Sequence, residues 1–255
     1  ASVEEKISFN SNITGLKSYI THTMGGRWWP VLPPSKDFKG RPYNCSSHHY
    51  FWPLYHSTCS LHLALKYHAL FPLTRAVPIL SKSSAIGLIM ATGVVNTSMS
   101  SDLNVYLSND GGFVWHEVMI EPHFYAFGDH GGIIVAVKQK NFTKEVLYSV
   151  DEGETWTAHP FYHEELRVYG ILTEPGEKTM IFSIFGSHKT KHSWIIIKLN
   201  MTHIFNKNCT QDDYKDWSPS SNGLRSCLLG RKTVYERRLA HVQCFNGRYY
   251  EREVS

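Results

Sequence analysis

Cysteine and histidine side chains cluster between residues 45 and 62, where they could bind a metal ion or form a cross-link. The cluster contains Cys45, His48, His49, His56, Cys59 and His62. Thiolate and imidazole ligands at such spacing are compatible with a tetrahedral zinc site. The alternative is a disulfide between Cys45 and Cys59. Because the chain carries the marks of a secretory protein (below), we favour the disulfide and expect no metal, with the histidines on a surface loop.

Other side chains could suggest catalysis. Asp110 and Asp151 lie near aromatic residues, and a retaining glycosidase needs two carboxyl groups about 5 Å apart. A sialidase also needs an arginine cluster, but the predicted strands offer few arginines, chiefly Arg75 and Arg167. Asp129 and His130 form an acid–imidazole pair without a nucleophile motif. We therefore expect no catalytic residue and interpret Asp129 as part of a strand-end turn.

The two aspartates belong to a repeated motif of the pattern S-x-D-x-G-x-x-W, the Asp box. Its copies comprise Ser108, Asp110, Gly112 and Trp115, and Ser149, Asp151, Gly153 and Trp156, and they start 41 residues apart. An Asp at this place accepts hydrogen bonds from its own turn, and the Gly permits positive φ. The Trp covers the turn with an apolar ring. The motif thus predicts a structural hairpin.

A third, altered copy lies at residues 21–28, where Thr23 replaces the Asp while Gly25 and Trp28 remain. Repeats at a period near forty suggest the blades of a β-propeller. Strands are predicted at 17–21, 28–32, 60–67, 86–92, 104–107, 114–119, 133–138, 145–148, 157–162, 168–173, 179–185 and 194–199, with an aromatic strand and Gly-rich turn at 123–132. An insertion is predicted at 38–59, and no helix before residue 205. The fold class is therefore all-β.

Composition and sequons indicate the compartment. The chain has 255 residues, 42% of them apolar, and a net charge of +4, which is too weak to predict nucleic-acid binding. Six N-x-S/T sequons indicate a glycosylated secretory protein: Asn12, Asn44, Asn96, Asn141, Asn200 and Asn208. The odd count of five cysteines predicts a missing or free partner. With no signal peptide and no apolar run longer than about half a membrane span, we expect an excised piece of a larger protein.

Five further segments resemble the sortilin family of sorting receptors. They read GDHGGII at 128–134, LTEPGE at 172–177, DYKDW at 213–217, CLLG at 227–230 and CFNG at 244–247. The residue sequences at 172–178 and at 183–187 (SIFGS) are most similar to those of the SorLA branch. The order and spacing of these segments follow the family's pattern over nearly the whole chain.

The resemblance implies a ten-bladed propeller followed by a small cysteine-rich (ten-cysteine) module. Residues 1–218 would be the C-terminal blades, and residues 219–255 the start of the module. Family members are type I membrane receptors that carry peptides, propeptides and other proteins between the Golgi, the cell surface and endosomes. The sequence departs from the pattern by lacking early blades, most module cysteines, the membrane span and the sorting tail.

The resemblance also carries expectations for individual residues. It implies that Cys209 pairs with a cysteine near the receptor's N-terminus, and that Cys227 and Cys244 pair within the remainder of the module. Independently of the resemblance, Arg75 stands on or near a strand and has two interpretations: a solvated surface arginine, which we favour, or a tunnel-facing residue that binds a ligand carboxylate by a bidentate hydrogen bond. We expect peptide or protein ligands, no cofactor and no nucleic acid, and membrane attachment through a segment outside this sequence. The oligomeric state stays open, and the alternative function is an Asp-box glycoside hydrolase.

Overall fold

The computed structural model describes residues 2–10, 13–23, 25–43, 45, 47–49, 55–57, 59–64, 77–96, 103–190, 193–218, 233–247 and 250. These residues form strands and three 3-10 turns, and the described part contains no α-helix. The all-β fold class is therefore confirmed. Within the same residues, no helix has the length and apolar character needed to span a membrane.

The described residues form twenty strands and three 3-10 turns. The strands are β1 (Ser2–Asn10), β2 (Ile13–Thr21), β3 (Trp29–Pro30), β4 (Ser47–His49), β5 (Tyr55–Ser57), β6 (Ser60–Leu63), β7 (Ile79–Ser81), β8 (Ile89–Asn96), β9 (Asn104–Ser108), β10 (His116–Met119), β11 (His123–Gly128), β12 (Ile133–Lys138), β13 (Phe142–Thr143), β14 (Glu145–Ser149), β15 (Thr157–Pro160), β16 (Leu166–Thr173), β17 (Ile181–His188), β18 (Trp194–Asn200), β19 (Tyr214–Trp217) and β20 (Tyr235–Arg238). The 3-10 turns are Asp129–Gly131, Thr202–Ile204 and Gln211–Asp213.

Four antiparallel sheets follow one another along the chain, as blades of a propeller do. The first has the order β1-β2-β3, and the second has the order β10-β9-β8-β6 with β7 also paired to β8. The third is β11-β12-β14-β15, and the fourth is β13-β16-β17-β18. Two hairpins, β4-β5 and β19-β20, complete the described sheets. Strands that are neighbours in sequence mostly pair directly, which gives the meander of a propeller blade.

The hydrophobic core lies between neighbouring sheets. On β12, Ile134 packs with Leu107 of the second sheet, whereas Val135 packs with Val168 of the fourth. Side chains alternate across a strand, so a strand that is apolar at every position is buried on both faces. Between the first and second sheets, Ile20 packs with Trp115. The third sheet is thus sandwiched between two others, as a propeller requires.

Some predicted strands differ in their bounds from the observed ones. The strand predicted at 86–92 begins only at Ile89, because Gly87 adopts a left-handed φ of 76° in the turn before it. The strand predicted at 60–67 ends at Leu63, since Ala64 is described and lies outside the strand, while residues 65–67 lie outside the described part. The strand predicted at 28–32 is reduced to Trp29–Pro30, where the proline supplies no backbone donor.

The C-terminal segment contains the clearest correction to the sequence-based expectations. Cys209 and Cys244 were expected to find partners elsewhere in the receptor, but the structure joins them to each other. The reason is local: residues 208 and 245 form a parallel β-bridge, with Cys209 N donating to the carbonyl of Phe245 at 3.0 Å. The bridge brings the Cα atoms of Cys209 and Cys244 to 4.9 Å from each other. Cys227 lies outside the described residues.

Strands β19 and β20 lie on either side of the predicted boundary at residue 218 and pair with each other. The hairpin therefore links the end of the predicted blades to the predicted module. The division itself stays a prediction.

Candidate functional site

The first Asp-box turn is closed by its own side chains. Ser108 Oγ accepts a hydrogen bond from Gly112 N at 2.8 Å and donates one to Asp110 Oδ1 at 2.8 Å. The Asp110 carboxylate accepts from the backbone amides of Phe113 and Val114 at 3.0 Å. Trp115 Nε1 donates to the carbonyl of Gly112, and its ring is buried, with 2% exposed. The polar side chains of Ser108, Asp110 and Trp115 therefore all form hydrogen bonds within the turn.

The second turn repeats this geometry. Ser149 Oγ accepts from Gly153 N at 2.8 Å, and Asp151 accepts from Thr155 N at 2.9 Å. Partial burial raises the pKa of Asp151, but hydrogen bonds from Thr155 and Ser149 outweigh it and bring that pKa below its ordinary value. An ionised carboxylate that accepts several donors braces a turn and is poorly suited to donate a proton as a general acid.

The altered copy at residues 21–28 forms the same turn without a carboxylate. Thr21 Oγ1 accepts from Gly25 N at 3.1 Å, in the role of Ser108. Thr23 Oγ1 accepts from Arg27 N at 2.8 Å, in the role of Asp110. Gly25 has a φ of 90°, close to the 97° of Gly112. A hydroxyl group therefore replaces the carboxylate as the acceptor of the turn.

The glycines of the two complete motifs also permit contact between sheets. A Cβ atom on Gly112 would collide with Ile20 of the preceding sheet. A Cβ atom on Gly153 would lie 2.9 Å from Leu107 of its preceding sheet. Each turn thus packs on the neighbouring blade, so positive φ and close approach both require glycine.

The C-terminal hairpin β19-β20 docks on these turns through two consecutive arginines. Arg237 Nη2 forms an ion pair with Glu152 Oε2 of the second turn at 2.6 Å. Its Nη1 donates to the carbonyl of Asn109 in the first turn at 2.5 Å. The guanidinium also lies 5.5 Å from the ring centroid of Trp217. One side chain therefore bridges two blades and the hairpin.

Arg238 acts as a donor to three backbone carbonyls. It donates to Gly132, Val150 and Cys244 at 2.6 to 2.7 Å, and 7% of its side chain is exposed. A buried guanidinium with several acceptors is satisfied without a tight carboxylate partner, since Asp129 Oδ2 is 3.9 Å away. Arg238 therefore ties the third sheet to the segment around the Cys209–Cys244 disulfide.

Asp129 is buried completely beneath the same segment. Its carboxylate accepts hydrogen bonds from the backbone amides of Asn246 and Gly247, both at 3.0 Å. Burial raises its pKa to about 6, although these hydrogen bonds act in the opposite direction. His130 Nε2 is hydrogen-bonded to the carbonyl of Gly247 at 3.1 Å. The pair lies in a turn, as predicted, but its side chains hold the C-terminal segment, which the local sequence did not indicate.

The remaining predicted sites are placed as follows. Cys45 is disulfide-bonded to Cys59, with Cα atoms 5.4 Å apart. His62 was expected on a surface loop, but it is buried on β6 and hydrogen-bonded to Ser60 Oγ at 3.2 Å, because its strand is covered on both faces. In the described part, no three His, Cys, Asp or Glu side chains are grouped to hold a metal ion. Arg75 lies outside the described residues.

Of the six sequon asparagines, Asn141, Asn200 and Asn208 are described and exposed. Asn200 Oδ1 accepts hydrogen bonds from Thr202 N and Oγ1, at 3.0 and 2.8 Å. Asn12, Asn44 and the side chain of Asn96 lie outside the described part.

Comparison with known proteins places these features in one family. Residues 2–171 match the family model described as Sortilin, neurotensin receptor 3, and residues 173–255 match the model of its C-terminal part. The chain is 45% identical to the human sortilin-related receptor over 250 residues, which cover 97% of this chain and 11% of that protein. It is 33% identical to human VPS10 domain-containing receptor SorCS1 over 92% of this chain and 19% of that protein.

A fungal relative extends the comparison. The vacuolar protein sorting/targeting protein 10 of Laccaria bicolor is 34% identical over 91% of this chain and 16% of that protein. The chain thus spans between about a tenth and a fifth of these relatives. The animal relatives are named as receptors, and none of the three carries an enzyme name.

Proposed function

The chain belongs to the sortilin family of receptors, and we propose that it is part of the ligand-binding ectodomain of a sorting receptor. In this role it contributes to binding peptides, propeptides or proteins that travel between the Golgi, the cell surface and endosomes. The observation that carries the proposal is the 45% identity to the sortilin-related receptor across nearly the whole chain. The glycoside hydrolase alternative lacks support, since both Asp-box carboxylates are engaged by their own turns.

We place residues 1–218 in the last blades of a ten-bladed propeller and residues 219–255 in the start of its ten-cysteine module. The exposed side of the fourth sheet supports the presence of a further blade beside it. Among the described strands, β18 pairs only with β17, and it exposes 72% of Trp194 and 78% of Ile196. Large apolar patches on monomers usually mark contact surfaces. A further blade of the ring would cover this face.

The docked hairpin supports a rigid link between the blades and the module. Arg237 and Arg238 contact both Asp-box turns and the turn at Asp129, with side-chain exposures of 9% and 7%. Buried arginines that form ion pairs and hydrogen bonds with several elements fix the orientation of those elements. The receptor would therefore present propeller and module as one body to a ligand.

Arg75 remains our candidate for holding a ligand carboxylate, and the inner strand edges of the blades could accept a peptide as an additional strand. The chain would lie in the lumenal or extracellular part of a type I membrane protein. The exposed side chains of Asn141, Asn200 and Asn208 fit N-glycosylation there.

Binding of propeptides to the secreted full ectodomain tests the proposal. We expect saturable surface plasmon resonance with at least one synthetic propeptide from a panel, and weaker binding after Arg75→Ala. Replacing Arg167, an exposed arginine on β16, by Ala is the matched control. An ectodomain that binds no propeptide and hydrolyses a fluorogenic sialoside would refute the proposed function.

A further inference from the structure

A cavity of about 310 Å³ lies beside the second Asp-box turn. The hydrogen bonds of the turn and the docking of the hairpin do not account for it. It is bounded by the loop after β3, by strand β10 and by the turn itself. Its walls include Phe38, His116, Glu117, Glu152, Glu154 and Trp156. Cavities that hold small ligands in proteins begin at about this volume.

The polar part of the wall is mostly acidic. Glu152 is neutralised by Arg237, whereas neither Glu117 nor Glu154 forms an ion pair with a Lys or Arg of the described residues. Arg41, which lies near Glu117, is held by Asp37 at 2.7 Å. The carboxylates of Glu117 and Glu154 can therefore pair with the cation of a ligand.

Glu117 provides a second and independent observation. Its Oε1 accepts a hydrogen bond from Asn104 Nδ2 at 3.0 Å. Its Oε2 is buried and no donor of the described residues meets it with good hydrogen-bond geometry, although the Phe38 amide lies close enough to lower the pKa of the carboxyl group. A buried carboxylate oxygen without a well-aligned donor costs free energy, and a ligand that supplies an N–H group would reduce that cost.

The apolar part of the wall is aromatic. Two aromatic residues line the cavity. Phe38 is 51% exposed, and Trp156 is half-buried. Cations are attracted to the faces of aromatic rings, most strongly to Trp. Guanidinium and ammonium groups, with their aliphatic stems, use aromatic walls and carboxylates together. Phosphate or carboxylate ligands would be repelled by the same wall.

We propose that this cavity binds the side chain of an arginine or a lysine from a peptide ligand. The inference rests on the proposed function, because it specifies one contact of a peptide-binding receptor. It places a cation subsite beside the second Asp-box turn.

The titration of Glu117 gives the subsite a pH dependence. Burial and the neighbouring Asp37 raise the pKa of Glu117 to about 7, while the Phe38 amide and Arg41 act in the opposite direction. His116, Glu152 and Glu154 are the other titratable groups around the cavity. A bound cation favours the ionised carboxylate, so affinity should fall as pH drops below about 7 and Glu117 takes up a proton.

Saturation-transfer NMR on the full ectodomain tests the subsite. The probes are acetyl-arginine amide and acetyl-citrulline amide, which differ in charge and little in shape. We expect saturable binding of the arginine probe alone, weakened about fivefold or more by Glu117→Gln or Glu154→Gln. Glu164→Gln, an exposed carboxylate outside the cavity, should leave binding unchanged. Binding of the arginine probe should also weaken between pH 7.4 and 5.5.

Equal binding of both probes, or full affinity in the Glu117→Gln, Glu154→Gln double variant, would overturn the proposal. Because both changes keep side-chain shape, melting temperatures close to that of the parent verify that the variants fold. An ectodomain that binds propeptides but not the arginine probe would refute the subsite alone. One that binds neither would refute the proposed function.

Discussion

Arg237 of the C-terminal hairpin forms an ion pair of 2.6 Å with Glu152 of the second Asp-box turn, and only 9% and 11% of the two side chains are exposed. Asn109 of the first turn completes the contact, because its side-chain amide donates to the same Glu152 oxygen at 3.2 Å and its carbonyl accepts from Arg237. The repeated turns thus connect blades to one another and also receive the segment that follows the blades.

Removal of Arg237 should loosen the hairpin. Breaking a buried ion pair leaves an uncompensated charge and costs about 3 kcal/mol, so amide hydrogen exchange in β20 should accelerate about a hundredfold in Arg237→Ala. Mass-spectrometric exchange on the ectodomain measures this, with the exposed Arg167→Ala as control. If Arg237→Ala and Glu152→Gln had additive effects, the pair would not be coupled.

The tryptophans of the two motifs should differ in importance. Trp115 is 2% exposed between the first and second sheets, whereas Trp156 is only half-buried. Trp115→Ala should therefore cost about 3–5 kcal/mol, and Trp156→Ala less. Thermal melting of secreted variants provides the comparison, and a larger loss for Trp156 would contradict the packing described.

Restoring the missing carboxylate in the altered turn should stabilise it. Thr23 already accepts a hydrogen bond from Arg27 N through its hydroxyl group, and an Asp would offer two stronger acceptors. We expect Thr23→Asp to raise stability by about 0.5–1 kcal/mol, and Asp110→Thr to lower it. A lower melting temperature for Thr23→Asp would show that the turns are not equivalent.

Asp129 and Asp151 should contribute to the pH dependence of stability with opposite signs. The folded-state pKa of Asp129 is raised to about 6, so the folded protein holds a proton that the unfolded chain has lost, and stability falls as pH rises from about 4 to 6. The pKa of Asp151 is lowered, so its contribution is present above pH 3.8 and is lost as pH falls through its folded pKa.

Melting temperatures of Asp129→Asn and Asp151→Asn, measured between pH 3 and 7, test this pair. The Asp129 variant should lose stability less steeply than the parent between pH 4 and 6. The Asp151 variant should lose less on acidification below pH 4. Identical profiles for parent and variants would refute both assignments.

The pairing of the cysteines in disulfides can be determined by experiment. Peptide mapping of the unreduced protein should find Cys45 joined to Cys59, and Cys209 joined to Cys244. The second bond closes a span of 35 residues, which in the chain-entropy model contributes about 4 kcal/mol. A bond between Cys209 and Cys227 would contradict the observed pairing.

The sequence predicted what depends on local spacing. Ser108, Asp110 and Gly112 act within one turn, so their pattern was sufficient to predict its hydrogen bonds. The burial of residues 133–137 on β12 was also predictable, because these residues form an uninterrupted apolar run. The bounds of β8 were missed because the left-handed φ of Gly87 is decided by its surroundings and not by its neighbours in sequence.

Contacts between distant segments were not predictable. Asp129 and Asn246 are far apart in sequence, and no periodicity links a buried carboxylate to the backbone amides that it accepts from. The pairing of Cys209 with Cys244 depends on the β-bridge beside it, which no spacing rule indicates. The contacts of Arg237 and Arg238 on β20 were likewise not indicated by the local sequence, although both side chains are buried.

The central claim is that these blades belong to a receptor surface that binds peptides. Cross-linking of a photoreactive propeptide to the full ectodomain, followed by mass spectrometry, tests it most directly. We predict saturable cross-links to residues within 1–218 that unlabelled propeptide removes by competition. Saturable cross-links found only outside this chain, or none at all, would contradict the account.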